Sequence, residues 1–173
     1  MSITITNTET DLYTAIRTWL LGTILPSPWE VIQGQQNLAV LPVNPCVVMT
    51  SAGYNRLATN IDVLDVTGLI SNINVQYEYK IQLDFYGAGS SEYSAIVAGM
   101  MRDQDTPALL PAYCQPLFAD DPMQIPLITG GSSYLERWKV LAHFQFNPTL
   151  ANATQSANVV VNSAAIPVDI FYH

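Results

Sequence analysis

From Val75 to Phe85 the chain alternates between apolar and polar side chains without a slip. Val75, Tyr77, Tyr79, Ile81, Leu83 and Phe85 fall on one side, and Gln76, Glu78, Lys80, Gln82 and Asp84 on the other, with Tyr86 after them. Period two over that length predicts a β-strand with one buried face and one wet face. Extended at ~3.3 Å per residue, the run from Val75 to Tyr86 covers about 40 Å, well past the usual strand of about 5–6 residues. Strands of that reach suit rings and tubes, where part of a strand extends to a neighbouring subunit. A second alternating run, Glu136–Asn147, sets Trp138, Val140, Ala142, Phe144 and Phe146 against Lys139, Leu141, His143 and Gln145. Two aromatic strand faces need a covering layer, and the sequence supplies two helices for it.

Thr8 with Asp11 three residues on reads as a capped helix start, and Leu12, Ile16, Trp19, Leu20 and Ile24 follow at helical spacing. Pro26 and Pro28 end it, which predicts a helix over residues 9–25. Ser90 or Ser91 caps a second helix running through Arg102, with Tyr93, Ile96, Val97 and Met100 on its buried side. Residues 1–7 read as an extended arm, Trp29–Gln33 and Cys46–Met49 as short strands, and Arg56–Val66 as a strand leading toward Gly68. The turn between the first two of those strands lies at Gly34–Asn37. Between Asp103 and Ser133, Pro107, Pro111, Pro116, Pro122 and Pro126 break the chain into short strands, at Ala112–Phe118 and Met123–Ile128, with Asp120-Asp121 at the hairpin tip between them. Asn158–Asn162 and Ile166–Tyr172 are strand-like. The expected fold is α+β: one domain over residues 1–173 with a largely antiparallel or mixed sheet and two amphipathic helices packed on one face.

Composition narrows the function classes. Hydrophobic residues make up 49% and charged residues only 12%, against a usual charged share of about 25%. A surface so poor in charge implies coverage by partners. The net charge of −8, with no cluster among the six Lys and Arg residues, argues against gripping nucleic acid by its phosphates. An acidic surface lets such a polymer slide past. The opening MSITITNTETD lacks the basic and apolar blocks of a secretory signal, and no run approaches the ~20 apolar residues of a membrane span, so a cytosolic, membrane-free chain is expected.

Chemistry is scarce. His143 lies mid-strand on the polar side without a partner at metal or catalytic spacing, and His173 is terminal. Cys46 and Cys114 read as small buried apolar residues; the ingredients for pairing either with His143 exist, but no local nucleophile signature surrounds them. Gly87-Ala88-Gly89-Ser90-Ser91 joins strand to helix, but no Lys follows and the third glycine of a dinucleotide fingerprint is absent, so it reads as a tight turn. Asp103 with Asp105, and Asp120 with Asp121, lack the spacing of a calcium loop. The strand aromatics are not interleaved with basic residues as a base-stacking platform would be. No catalytic residue, metal ligand set or cofactor site is therefore assigned.

The order of these pieces carries a resemblance. The helix with Trp19, PVNPCVVM from Pro42 to Met49, QLDFYG from Gln82 to Gly87, the helix with Ala95, and GG-x-x-Y-x-E-R-W from Gly130 to Trp138 come in sequence. Over roughly residues 9–150 the chain resembles the tailed-bacteriophage neck or tail terminator family; the stretch after Leu150 carries no part of the likeness. The resemblance implies a structural, non-enzymatic virion protein, assembled in the host cytoplasm. It implies a ring of identical subunits, commonly six, that caps the tail tube, ends its growth and meets the head-tail connector, with a sheath ring as a further partner in contractile phages and DNA passing through unbound. In that setting Glu78, Lys80, Gln82 and Asp84 are candidates for an exposed strand face lining the lumen or an interface, and Asp120 and Asp121 for a docking loop. Terminal segments 1–7 and 150–173 are the natural strand donors to a neighbour. The alternative roles are a head-tail connector or stopper and, further off, a tail-tube-like protein.

Overall fold

In a computed structural model of the protein, residues 3–35, 42–65, 70–125, 127–129 and 133–153 are described. In chain order their elements are β1 (Ile3–Thr6), α1 (Glu9–Trp19), β2 (Glu30–Gln33), β3 (Cys46–Arg56), β4 (Ile61–Asp65), β5 (Ile70–Asn74), β6 (Tyr77–Tyr86), α2 (Ser90–Met100), β7 (Cys114–Ala119), β8 (Met123–Gln124), β9 (Leu127–Thr129), β10 (Ser133–Leu135), β11 (Arg137–Phe146) and β12 (Thr149–Ala153). The fold is α+β, as the patterning predicts. The expected strands at 158–162 and 166–172 lie outside the described residues.

Helix α1 starts on a capping box: the Thr8 N–H donates to the Asp11 carboxylate at 2.7 Å and the Asp11 N–H to the Thr8 hydroxyl at 3.4 Å. Leu12, Ile16 and Trp19 are buried. The last turn widens to a π-helix over Leu20–Ile24, closed by Leu25 N–H to Leu20 O at 2.8 Å, before Pro26 stops the helix. Helix α2 departs from expectation at both ends and in its face. Its N-cap is Gly89, in the left-handed region (φ 84°), because the turn from β6 reverses too tightly for a side-chain cap; it ends at Met100. Ser90, Ser94 and Val97 form its buried stripe, and Ile96 is 46% exposed. Small serines let the helix lie close to the sheet, which turns the bulkier Ile96 outward.

Both helices cover one face of a sheet ordered β2-β3-β6-β11-β7, in which β2 and β3 are parallel and the other pairs antiparallel. Trp19, Phe85, Phe144, Leu12, Ile16, Ile81 and Leu83 fill the layer between. Each such side chain contributes about 1.5–3 kcal/mol by leaving water. Trp29 packs edge-on against Phe85 and Tyr93, with centroids 6.4 and 5.1 Å apart.

The alternation from Tyr77 onward is one strand, β6, while Ile73 and Asn74 ahead of it belong to β5 in another sheet. β5 ends at Asn74 and β6 begins at Tyr77, because Val75 N–H turns to Pro148 O (3.1 Å) and Gln76 O accepts from Leu57 N–H (3.0 Å). The buried alternation of β6 is as expected, but its other face is not uniformly wet: Asp84 is 4% exposed, and on the same side His143 of β11, paired with Lys80, is 6% exposed. β3 runs seven residues past the expected end at Met49, to Arg56, through a bulge at Ser51/Gly53. The strand expected from Arg56 is confined to β4; Arg56 Nε turns back onto Ala58 O at 3.1 Å and so ends β3. Asp120-Asp121 is not a hairpin tip: β7 and β8 run end to end along one edge of β11, and Asp120 N–H bonds Leu141 O at 2.9 Å. The strand expected over Met123–Ile128 is split, β9 pairing instead with β10.

Candidate assembly surface

β1, β12, β5 and β4 form a separate, wholly antiparallel sheet in that order. The terminal segments proposed as donors to a neighbour therefore meet each other first: Ile3–Thr6 pairs with Thr149–Asn152 within one chain, and β12 is an interior strand. Residues paired across an antiparallel ladder share a face. The register Asp62–Ile73–Leu150–Ile5 and Leu64–Ser71–Asn152–Ile3 thus builds one face that is largely apolar and carries Asp62 as its charge. Neither helix covers this face: Ile3, Ile5 and Leu64 are 66%, 53% and 58% exposed. The opposite face carries Thr4, Thr6, Asn72, Asn74 and Thr149 beside Ile61 and Val63.

Edges distinguish the two sheets. In the helix-backed sheet, β2 is four residues long and β7 carries Pro116 and a bulge, both devices that blunt an edge. In the small sheet, β1 and β4 have no outer strand among the described residues. Where the sheets meet, Ile5, Tyr54, Tyr77, Tyr79, Phe146 and Pro148 line a cleft of about 230 Å³. Tyr54 stacks on Tyr79 at 5.8 Å and meets Tyr77 edge-on at 5.0 Å. The Tyr79 hydroxyl donates to Glu9 Oε1 at 2.6 Å and accepts from Ser51 Oγ at 3.1 Å. Burial, reinforced by the Glu9 carboxylate, raises its pKa well above the usual phenol value, so it remains a donor.

The face of the central sheet away from the helices holds the four β6 residues singled out from sequence. Lys80 and Gln82 are half-buried there. Asp84 is not part of an exposed strip: it accepts from Arg137 Nη2 at 3.0 Å, Arg137 Nε at 3.2 Å and Gln82 Nε2 at 2.7 Å. Glu78 Oε1 lies 2.6 Å from His143 Nδ1, and that hydrogen bond holds the Glu78 carboxyl below its ordinary pKa, against the smaller opposing effect of desolvation. Phe118 stacks on the imidazole at 4.1 Å, while His143 Nε2 stands 3.8 Å from Asp120 Oδ1. Asp120 is thereby brought to the same strand face as Glu78, a link that sequence spacing did not reveal.

The other candidates resolve simply. Burial pushes the Cys46 thiol up to about 11 and the Cys114 thiol up to about 12. Cys114 pairs in register with Phe146, on the helix side, whereas His143 points to the opposite face, so the sheet separates them. Gly87 (φ 102°) and Gly89 (φ 84°) make the tight turn, and a Cβ on Gly87 would sit 3.2 Å from Pro45. Asp103 Oδ2 accepts from Asp105 N–H at 3.3 Å, and among the described residues no group of three His, Cys, Asp or Glu could hold a metal ion. Among the same residues no helix is long and apolar enough to cross a membrane. Sequence reasoning missed the apolar face of the small sheet; its signals were the Ile3/Ile5 alternation and the exposed pattern of Ile61–Asp65, too short to be read as strand faces alone.

A helix-backed sheet beside a second sheet that neither helix covers defines a protein whose distinctive chemistry lies in its surfaces. The chain matches the family model of phage neck terminator proteins over residues 10–172, almost its whole length, and belongs to that family. It is a structural protein of the phage neck, located in the virion. The match takes in the stretch after Leu150 that the motif resemblance left out. A search of curated proteins finds no match.

Proposed function

We propose that copies of this chain, acting as one domain over residues 1–173, close into a ring of six at the head-proximal end of the tail. The ring caps the last tier of tube subunits, ends tube growth and offers its other side to the head-tail connector; in a contractile phage it also seats the last sheath ring. It performs no reaction. The observation that carries this reading is the small sheet: an antiparallel ribbon with an apolar face and, among the described residues, two open edges, standing outside the helix-covered core. Exposed apolar surface of this kind is normally covered by a partner, and a contact between two different patches of identical subunits closes into a ring when its rotation allows. The net charge of −8 suits a channel through which DNA moves without binding. Asp120 and Asp121, on the edge of β11, are the proposed docking acids, and Glu78 with Lys80 and Gln82 the lumen or interface strip.

Size-exclusion chromatography with light scattering, followed by negative-stain imaging with and without purified tail tubes, tests the reading. A ring with a DNA-wide hole, alone or on the tube end, supports it. Particles lacking the protein should carry tails of uncontrolled length that fail to join filled heads. Normal tails on normal heads would overturn it, and binding to DNA-filled heads in place of tails would make the protein a stopper.

A further inference from the structure

The two edge strands of the small sheet run in opposite directions. β1 with β12, β12 with β5, and β5 with β4 are each antiparallel, so β1 and β4 are antiparallel to one another. A neighbour's β1 laid along β4 therefore continues the alternation of the sheet without a break. The rows agree as well. Leu64, Ser71, Asn152 and Ile3 form one row across the four strands, and Asp62, Ile73, Leu150 and Ile5 another. Carried straight on, these rows set Leu64 beside Ile3 and Asp62 beside Ile5 of the next copy, with Ile61 and Val63 beside Thr6 and Thr4. The apolar face then stays on one side of the joined sheet.

Both strands have the character of an acceptor edge. Every residue of each is exposed. Neither contains a proline, a lysine or a bulge, the usual devices against strand addition. On the β4 side of the molecule, β2 pairs with β3 only as far as Met49, so among the described residues no strand stands outside Thr50–Arg56 or outside the β4 that follows. β1 reads Ile-Thr-Ile-Thr and is uncharged, so its arrival sets no acid against Asp62 or Asp65.

We propose that β1 of one copy adds as a strand to β4 of the next, joining the small sheets edge to edge around the ring. The occupant is a second copy of this chain, and the proposal rests on the ring reading. An edge paired with itself ends at two copies and leaves the other edge bare. β1 on β4 uses two different edges, so the contact repeats from copy to copy until the rotation closes. A stagger of two residues, such as a curved sheet takes on closing, keeps the faces together and moves Leu64 from Ile3 to Ile5; a stagger of one reverses them.

Cysteine pairs on the full chain test this, since Cys46 and Cys114 are buried and do not compete. Leu64→Cys assembled with Ile3→Cys or with Ile5→Cys and then oxidised should give a disulfide dimer. Leu64→Cys alone, or with the opposite-face Thr4→Cys, should give none above background. The productive pair placed on one chain should give a covalent ladder that ends at the ring size. Independently of any variant, hydrogen exchange of wild-type residues 3–6 and 61–65 should slow at least about tenfold on assembly. Three results would each overturn the pairing and leave the ring reading standing: rings without such a disulfide, rings with Leu64→Cys linked to itself, and a β4 already protected in the monomer, as by residues 154–173 of its own chain. A protein that stays monomeric both alone and on tube ends would overturn both.

Discussion

Tyr79 Oη donates to Glu9 Oε1 across 2.6 Å and so fastens the first turn of α1 to the middle of β6, at the seam between the two sheets. The same hydroxyl accepts from Ser51 Oγ on β3, which makes Tyr79 the junction of three elements. Tyr79→Phe removes both bonds while keeping the ring that stacks on Tyr54. A destabilisation of about 1 kcal/mol is expected, since Glu9 is solvent-exposed and screened. Urea denaturation should show a lower midpoint at unchanged slope.

Arg137 and Asp84 behave differently because the acid is buried. The side chain of Asp84 is 5% exposed and that of Arg137 21%. Arg137→Met leaves the carboxylate with Gln82 as its one hydrogen-bond donor among the described side chains and should cost about 3 kcal/mol. Replacing both, as Asp84→Leu with Arg137→Met, removes the stranded charge and should cost less than the sum of the single changes. A double-mutant cycle from equilibrium unfolding measures the difference.

Glu78 supplies an acid-sensitive element. Its hydrogen bond to His143 lowers its carboxyl pKa in the folded state below the ordinary value of 4.5. A group depressed by folding stabilises the native state above its unfolded pKa and loses that contribution as pH falls through the folded value. Stability should therefore decline as pH drops below about 4.5, and Glu78→Gln should flatten that part of the profile. Unfolding midpoints measured across acid pH for both proteins check the sign; an unchanged slope in the variant would remove the assignment.

Cys46 and Cys114 should be silent toward a thiol reagent in the native protein. They are 1% and 0% exposed, and burial raises both thiols, to about 11 and about 12. Reaction with Ellman's reagent should be negligible in buffer and reach two thiols per chain in denaturant. Fast labelling of either in the folded protein would contradict its burial.

Much of the architecture was legible because it rests on local periodicity. Alternation over Tyr77–Tyr86 and Arg137–Phe146, helical spacing from Leu12 to Leu20 and the Thr8/Asp11 box each depend on residues close in the chain. Segments whose state depends on a distant partner were not legible. Val75-Gln76 looks like mid-strand in sequence, yet Pro148 and Leu57 take its hydrogen bonds and set it between β5 of one sheet and β6 of the other. Asp120-Asp121 looks like a turn, yet Leu141 O holds it on the edge of β11.

The sequence by itself determined the α+β class, the buried faces of the two long strands, the first helix with its cap, and a likeness to phage neck terminators. Period and capping are short-range, so they are written into neighbouring residues. Only the tertiary structure decided that β1 and β12, from opposite ends of the described chain, join β4 and β5 in a second sheet whose apolar face neither helix covers. It likewise decided that Asp84 is buried against Arg137. Strand register and cross-strand pairing join residues up to about 150 positions apart, and no local pattern specifies such long-range partners.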